Sequence, residues 1–447
     1  MDVSRSFSVP GKVLLAGGYL ILKSKYQAYV VALSSRMHAV VYQERNTATD
    51  GKFKVTVTSS QFNNDQWIYS LDPSNNYALS EASGRKNPFV EKTIINVFVL
   101  FSPKVAEYGH IFVNIFSDSG YHSQNDSIER SNGYKRFRFH NQSISAVPKT
   151  GLGSSAGLVT VLTTALVSVF NTKLDINTDS DLFLIHNISQ ISHCQAQGKI
   201  GSGFDVAAAV FGTILYRRFD PQLINCLPNI SSPEYPRSIC QTVRETHWGV
   251  INRSFSLPKG LRIVMGDVSN GSETPKLVSK VKAWYDAYWP HSLQLYKDID
   301  KANMRFIDGL NELNNLSINK PAEYSELLAA IQRGNELDRY PVLKNIRAAV
   351  NSIREKFRMI TLESGADIEP LKQTQLLENS MKLKGVLTGM VPGAGGHDAI
   401  ALIVTDYDSL IEQTGNSPTF SAVTWLDVMQ EEIGILEEDP SHYQNFT

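Results

Sequence analysis

Phe53, Val55 and Val57 alternate with polar residues across residues 52–59. That period of two marks a strand with one face in a core. Residues 30–43 and 111–116 read as further strands. The period changes at residues 87–101, where apolar positions recur at helical spacing. Residues 154–170 and 181–197 are predicted as two more helices, the first with Ser154 and Ser155 as natural N-cap residues. Residues 6–22 read as extended segments around a Pro-Gly turn, closed by Gly17 and Gly18. Residues 121–141 are polar and turn-rich, the pattern of a long surface loop or hairpin. Residues 206–217 read as an apolar passage from helix to strand.

The regularity loosens over residues 219–257, where Pro221, Pro228, Pro233 and Pro236 interrupt it. A domain junction is expected there, dividing the chain into 1–220 and 221–447. Beyond it, helical patterns cover residues 274–288, 292–313, 321–333 and 342–364. Residues 384–388 then lead into a glycine turn at 393–396, followed by a strand at 399–404. No internal repeat, low-complexity tract or heptad run is present.

At 447 residues, 42% of them hydrophobic, the chain can bury more than one core. Its formal net charge of −1 shows no basic excess that would advertise a nucleic acid or a membrane. An anionic ligand must therefore be held by local cations and backbone amides. Cys194, Cys226 and Cys240 form no C-x-x-C pair, which fits free thiols in a reducing compartment. The longest apolar stretches, near 89–101 and 157–170, fall short of the roughly 18–20 residues that span a bilayer. The start of the chain has no charged segment followed by an apolar one, and its first motif begins at Ser8. A cytoplasmic protein is expected.

The segment Pro148-Lys149-Thr150-Gly151-Leu152-Gly153-Ser154-Ser155-Ala156-Gly157 is the most informative in the chain. Its glycines let successive N–H groups converge, and a helix N-terminus follows at once, so the segment reads as an anion site. Ser154 and Ser155 offer hydroxyls to phosphate or to Mg²⁺, and Lys149 a mobile charge. No Walker A string occurs. Gly151-x-Gly153-x-x-Ala156 satisfies a relaxed dinucleotide pattern, but residues 145–150 are not the buried strand that pattern requires. A glycine-rich helix start without a ligand is the bland alternative.

Two further motifs bear on the same chemistry. In Ser8-Val9-Pro10-Gly11-Lys12-Val13-Leu14-Leu15-Ala16-Gly17-Gly18-Tyr19, one lysine interrupts an apolar run. A buried lysine is costly without an anion. In Gly198-Lys199-Ile200-Gly201-Ser202-Gly203-Phe204-Asp205, one carboxylate follows a glycine loop; it is either an N-cap or the anion that Lys12 needs. Val391-Pro392-Gly393-Ala394-Gly395-Gly396-His397-Asp398 is a tight turn that lets a ligand approach the backbone. Between the phosphate loop and Asp205, His186, Gln190, His193 and Gln197 share one helix face, which either lines the site or is solvated.

In order and spacing, these strings resemble the three motifs of the GHMP kinase superfamily. Ser34-Ser35-Arg36-Met37-His38, Asn87-Pro88-Phe89-Val90-Glu91-Lys92, Gln195-Ala196-Gln197-Gly198-Lys199-Ile200-Gly201-Ser202-Gly203, residues 271–278 and Glu363-Ser364-Gly365-Ala366-Asp367-Ile368-Glu369-Pro370 resemble its phosphomevalonate kinases in particular. The resemblance implies an α+β, two-domain fold: an N-terminal ATP-binding domain like domain 2 of ribosomal protein S5, and a ferredoxin-like C-terminal domain. It implies transfer of a phosphoryl group from ATP to (R)-5-phosphomevalonate with Mg²⁺ as cofactor, in isoprenoid and sterol precursor synthesis. Small-molecule substrates are then the partners, with no nucleic acid and no membrane. Lys12 and Asp205 match the family's catalytic pair, and Lys149, Thr150, Gly151, Leu152, Gly153, Ser154, Ser155, Ala156 and Gly157 its ATP-phosphate loop.

The chain departs from related kinases where they carry a Mg²⁺-binding glutamate. His193 or a neighbour stands there, so Ser155 and His193 are the expected metal residues. An acceptor with a phosphate and a carboxylate needs cations, for which Arg36, His122, Lys149 and Lys276 are candidates, with Ser272 and Thr274 as donors. Tyr19, Ser202 and Gly395 are expected at the same site. Mevalonate kinase, mevalonate diphosphate decarboxylase and a non-catalytic sensor are the alternatives. The phosphomevalonate kinase-like strings argue against the first two, and retention of Lys12 and Asp205 against the third.

Overall fold

The computed structural model of the chain describes residues 2–44, 51–268, 274–334 and 336–446. The strand Ala28–Glu44 is the hub of a ten-stranded sheet. Along one edge it pairs with Asp2–Ala16. Along the other it takes, in turn, Ile214–Arg217, Gln430–Glu431 and His110–Ser117. Phe53–Ser59, Asp65–Asp72 and Ala78–Glu81 extend the sheet beyond His110–Ser117, and Ile251–Ser254 closes its other end. The alternation in residues 52–59 buries Phe53, Val55 and Val57 as expected. Residues 121–141 do form a hairpin, Ser127–Ser131 with Arg136–His140.

The expected Pro-Gly turn is not a turn. Asp2–Ala16 runs through it as one strand, with a register shift between Pro10 and Gly11. A side chain at Gly11 would stand 3.3 Å from the carbonyls of Leu152 and Ser35 and from the Tyr121 hydroxyl, so glycine here serves close packing.

Helices Pro88–Phe101, Ser154–Phe170, Asp179–Gln197 and Phe204–Phe211 cover this sheet. Ser154–Phe170 is buried along nearly its whole length, as its apolar circumference requires. Its N-cap is Gly153, in the left-handed region at φ 87°, and no side chain caps it. Ser154 and Ser155 therefore lie inside the first turn instead of capping it, which leaves their hydroxyls for other partners.

The second sheet is antiparallel, ordered Val386–Met390, Ala399–Val404, Arg262–Asp267, Thr424–Leu426. In chain order that is 2-3-1-4, the ferredoxin-like arrangement. The helices Thr274–Ala287, His291–Asn319, Pro321–Arg333, Pro341–Ser364 and Leu371–Ser380 are inserted after its first strand. Among the described residues no helix is long and apolar enough to cross a membrane.

The sheets do not divide at residue 220. Ile251–Ser254 still belongs to the first sheet, and the chain returns to it after residue 428. Leu436–Glu438 pairs with Ser6–Ser8 on the outer edge of the N-terminal strand. Arg5 grips Glu437 through two bonds of 2.7 and 2.9 Å. Tyr443 and Phe446 are buried with Phe116, Phe137 and Phe139. The returning chain also abuts the end of Phe204–Phe211: a Cβ on Gly434 would lie 2.0 Å from the Val210 carbonyl.

Candidate active site

The three glycine motifs, far apart in sequence, converge through backbone hydrogen bonds. Lys12 N donates to Leu152 O at 3.1 Å, fixing the first motif to the phosphate loop. Gly393 N donates to Leu14 O at 3.1 Å, and the Tyr19 hydroxyl to Ala394 O at 2.7 Å, fixing the first motif to the third. Gly395 stands at φ 72° against the Ile368 carbonyl, which also accepts from Gly396 N at 2.9 Å. Any side chain there would collide with it. The glycine loop before Asp205 is held from behind: Gln190 Nε2 donates to Gly203 O at 2.7 Å, and the Tyr216 hydroxyl to Ser202 O at 3.0 Å.

Two clefts open on either side of the phosphate loop. Lys12, Tyr19, Thr150, Gly151, Ser202, Phe204, Thr274 and Gly395 line the first, which runs between the two sheets. Trp67, Arg85, Asn87, Phe89, His122, Lys149, Ser154 and Ser155 line the second, which lies wholly against the first sheet. Lys12 reaches across the junction. Its ammonium donates to Gly151 O at 2.9 Å and lies 5.4 Å from the centre of the Phe204 ring. Burial pulls its pKa below the ordinary lysine value, and the Asp205 carboxylate opposes that shift. The coupling is through space, because Asp205 Oδ1 accepts from the amide of Val206 at 3.0 Å, which braces it on its own helix.

Ser155 and His193 are brought together, with Oγ 3.1 Å from Nε2. Among the described residues no group of three His, Cys, Asp or Glu side chains is poised to hold a metal. A hydroxyl suits a hard cation that keeps most of its waters and takes its other oxygens from a nucleotide, whereas imidazole does not. Ser155 is thus a group that could hold Mg²⁺, and His193 would act there only through its contact with that hydroxyl.

Arg36 does not reach the clefts. Nε donates to the Ser8 hydroxyl at 2.8 Å and Nη2 to Ser8 O at 3.1 Å, while the rest of the fork binds Glu431 and the Gly434 carbonyl. It clamps the returning chain. His122 lines the second cleft, not the first, and burial, with Lys149 and His140 nearby, pushes its pKa down to about 3. Its surroundings thus disfavour the charged imidazolium. Lys149 also lines the second cleft. Thr274 opens a helix whose first turn faces the first cleft, whereas Lys276 is exposed beside it. Ser272 lies outside the described residues.

The polar helix face is buried over His186, Gln190 and His193 and exposed at Gln197. His186 is held by Asn187 Oδ1 at 2.9 Å, with its pKa lowered by burial to about 4. Sequence reasoning missed Trp67 and Arg85. Beside the phosphate loop and His122, a signal for the second cleft was the Asn87-Pro88-Phe89 string, whose Asn87 caps the helix Pro88–Phe101 by accepting from Val90 N.

The chain matches the GHMP kinases N terminal domain family over residues 126–213. It is 41% identical over 449 residues to a phosphomevalonate kinase of Candida albicans, covering 99% of each chain. It is 33% identical over 422 residues to one from Gibberella zeae, covering 89% of this chain and 87% of that one. The structure of Streptococcus pneumoniae phosphomevalonate kinase in complex with phosphomevalonate and AMPPNP superposes with a TM-score of 0.61 at 16% identity, covering 95% of this chain and 99% of that one. At that identity the likeness speaks for the fold, and it agrees with the two sheets found here. With that architecture and a 41% identical relative matched from end to end, the chain belongs to the phosphomevalonate kinase family of GHMP kinases.

Proposed function

We propose that the phosphate loop separates donor from acceptor, with ATP in the second cleft and phosphomevalonate in the first. The reaction is transfer of the γ-phosphoryl group of ATP to (R)-5-phosphomevalonate, giving ADP and (R)-5-diphosphomevalonate. The observation that carries the assignment is the position of Lys12, which lines the first cleft and holds the loop that walls the second. Phosphoryl transfer asks mainly for in-line positioning and charge neutralisation, and an ammonium at that junction supplies both.

Trp67 and Phe89 give the donor cleft apolar surfaces for a base, and Ser154 and Ser155 at the helix start take the phosphates. Ser155, together with the nucleotide, would hold Mg²⁺, which would supply charge neutralisation on the phosphates. The acceptor phosphate has its second pKa near ~6 and is already mostly dianionic at neutral pH. Asp205 then has little proton to remove, and it acts by keeping Lys12 protonated. That the three cysteines are free supports a reducing compartment, the cytoplasm, as the place of the reaction. The product would feed isoprenoid and sterol synthesis.

A coupled ADP-release assay with phosphomevalonate, mevalonate and a sugar panel tests the reading. Turnover is expected with phosphomevalonate alone. Faster turnover of an alcohol acceptor would reassign the first cleft.

A further inference from the structure

The acceptor cleft has a charge deficit. Its proposed occupant carries a phosphate and a carboxylate, yet Lys12 is the one basic side chain among the described residues lining it. Arg36 and His122, the cations expected there, are engaged elsewhere or neutral. A further buried guanidinium lies behind the wall. Arg218 follows the strand Ile214–Arg217 and is 93% buried, with a relative exposure of 7%. Its Nη1 donates to Leu22 O at 2.7 Å and its Nη2 to Ile200 O at 3.1 Å. Leu22 lines the cleft, and Ile200 sits in the loop that carries Ser202 into it. One guanidinium thus ties two walls from different motifs.

Among the described residues no carboxylate pairs with it. Both anchoring acceptors are neutral carbonyls, Asp220 acts on it only through space, and its buried Nε–H has no acceptor among the described residues. A buried charge held only by carbonyl dipoles is expensive, and is retained where an anion arrives to offset it. Lysine could not span both carbonyls in a fixed plane, whereas the rigid fork of arginine does.

We propose that Arg218 is a positioning residue of the acceptor cleft. It holds the Leu22 and Ile200 walls at fixed separation and lends the cleft a permanent positive charge that selects doubly anionic acceptors. The inference rests on the assignment of this cleft to phosphomevalonate.

The test is steady-state kinetics of wild type, Arg218→Lys and Arg218→Met, varying phosphomevalonate and ATP separately over a range of salt. In Arg218→Met the KM for phosphomevalonate should rise about tenfold, while the KM for ATP moves less than about twofold. The salt dependence of kcat/KM for the acceptor should become shallower, because one attracting charge is gone. Arg218→Lys should keep the wild-type salt dependence with an intermediate KM, a rescue that a purely structural residue would not show. An unchanged acceptor KM, an equal rise in both KM values, or a lysine variant with the salt dependence of the methionine variant would overturn the proposal. If thermal melting shows Arg218→Met unfolded, Arg218→Lys decides alone: a rise confined to the acceptor KM supports the proposal, and a wild-type KM overturns it. Wild type that turns over phosphomevalonate beside an unaffected Arg218→Met sinks this inference only. Wild type inert toward phosphomevalonate sinks the cleft assignment, and this inference with it.

Discussion

Replacing Gly395 by alanine puts the third motif under a load that can be worked out. At φ 72° the new Cβ would lie 2.1 Å from the Ile368 carbonyl oxygen and 2.8 Å from its carbon. Contacts under 3.0 Å essentially do not occur, so one partner must retreat by about 0.9 Å. Ile368 cannot give way. Its own N–H donates to the Thr361 hydroxyl at 3.1 Å, and the next residue, Glu369, is fully buried. Arg354 grips Glu369 at 2.7 and 3.1 Å, Arg358 at 3.0 Å and Thr374 at 3.2 Å. The glycine turn moves instead, and it carries a wall of the acceptor cleft. A displacement near 1 Å in a site of this kind costs on the order of 10²-fold in rate. Left-handed backbone at a non-glycine residue adds about 1–2 kcal/mol of instability. Gly365→Ala is the control: Gly365 has φ 65°, and a Cβ there meets nothing within 4 Å. Both variants should lose similar backbone energy, and only Gly395→Ala should lose about 10²-fold in kcat/KM for phosphomevalonate. Thermal melting and a coupled ADP-release assay with the acceptor varied measure the two effects. A Gly395→Ala enzyme as active as Gly365→Ala would refute the reasoning.

Three further perturbations address the donor side and the charges. Gly153→Val strains a left-handed N-cap and pushes on Lys12, whose Cε lies 3.0 Å from where a Cβ would sit; calorimetric titration should show nucleotide binding abolished in a protein with native circular dichroism. Ser155→Ala should raise the Mg²⁺ concentration for half-maximal rate, and His193→Ala should do so less, since His193 only orients the hydroxyl; the reverse order in a Mg²⁺ titration would discard this metal assignment. Lys12→Met should cost more in kcat than Asp205→Asn. Because burial already lowers the Lys12 pKa and Asp205 opposes that shift, removing the carboxylate lowers it further. The alkaline limb of kcat/KM against pH, which reports the free enzyme, should therefore move to lower pH in Asp205→Asn. The acidic limb near ~6, set by the acceptor phosphate, should persist; its loss in Asp205→Asn alone would make Asp205 a general base.

Much of the site was legible because its chemistry is written in contiguous strings. The phosphate loop needs glycine, small residues and a helix start in immediate succession, so sequence spacing and spatial proximity coincide there. Arg36 and His122 show where that legibility ends. Each is a plausible anion ligand by residue type, but Arg36 is taken up by Ser8 and, nearly the whole chain away, by Glu431 and the Gly434 carbonyl. The neutrality of His122 comes from burial that no local pattern records. For the helix face of His186, Gln190, His193 and Gln197 the sequence left open whether it lines the site or is solvated, because polar side chains usually are solvated; Gln197 is exposed, and the other three are not. Those three are buried because Gly203, Asn187 and Ser155 supply the hydrogen bonds that water would otherwise provide. Arg218 was invisible for a related reason, since its partners are carbonyls, which every sequence contains.

The homecoming of residues 430–446 has a consequence for how the molecule is made. The first sheet carries the phosphate loop, yet one of its inner rungs, Gln430–Glu431, is translated only after every strand of the second sheet. Until then the hub strand exposes an unpaired stretch between Ile214–Arg217 and His110–Ser117, and the N-terminal strand has a bare outer edge at Ser6–Ser8. Open edges of that kind invite pairing with other chains. The nascent nucleotide-binding half is therefore a protein in waiting, exposed to misassembly for as long as the ferredoxin-like half takes to be translated. A chain cut after the second sheet would keep that exposure permanently, because it would lack the rung at Gln430–Glu431 and the edge strand Leu436–Glu438.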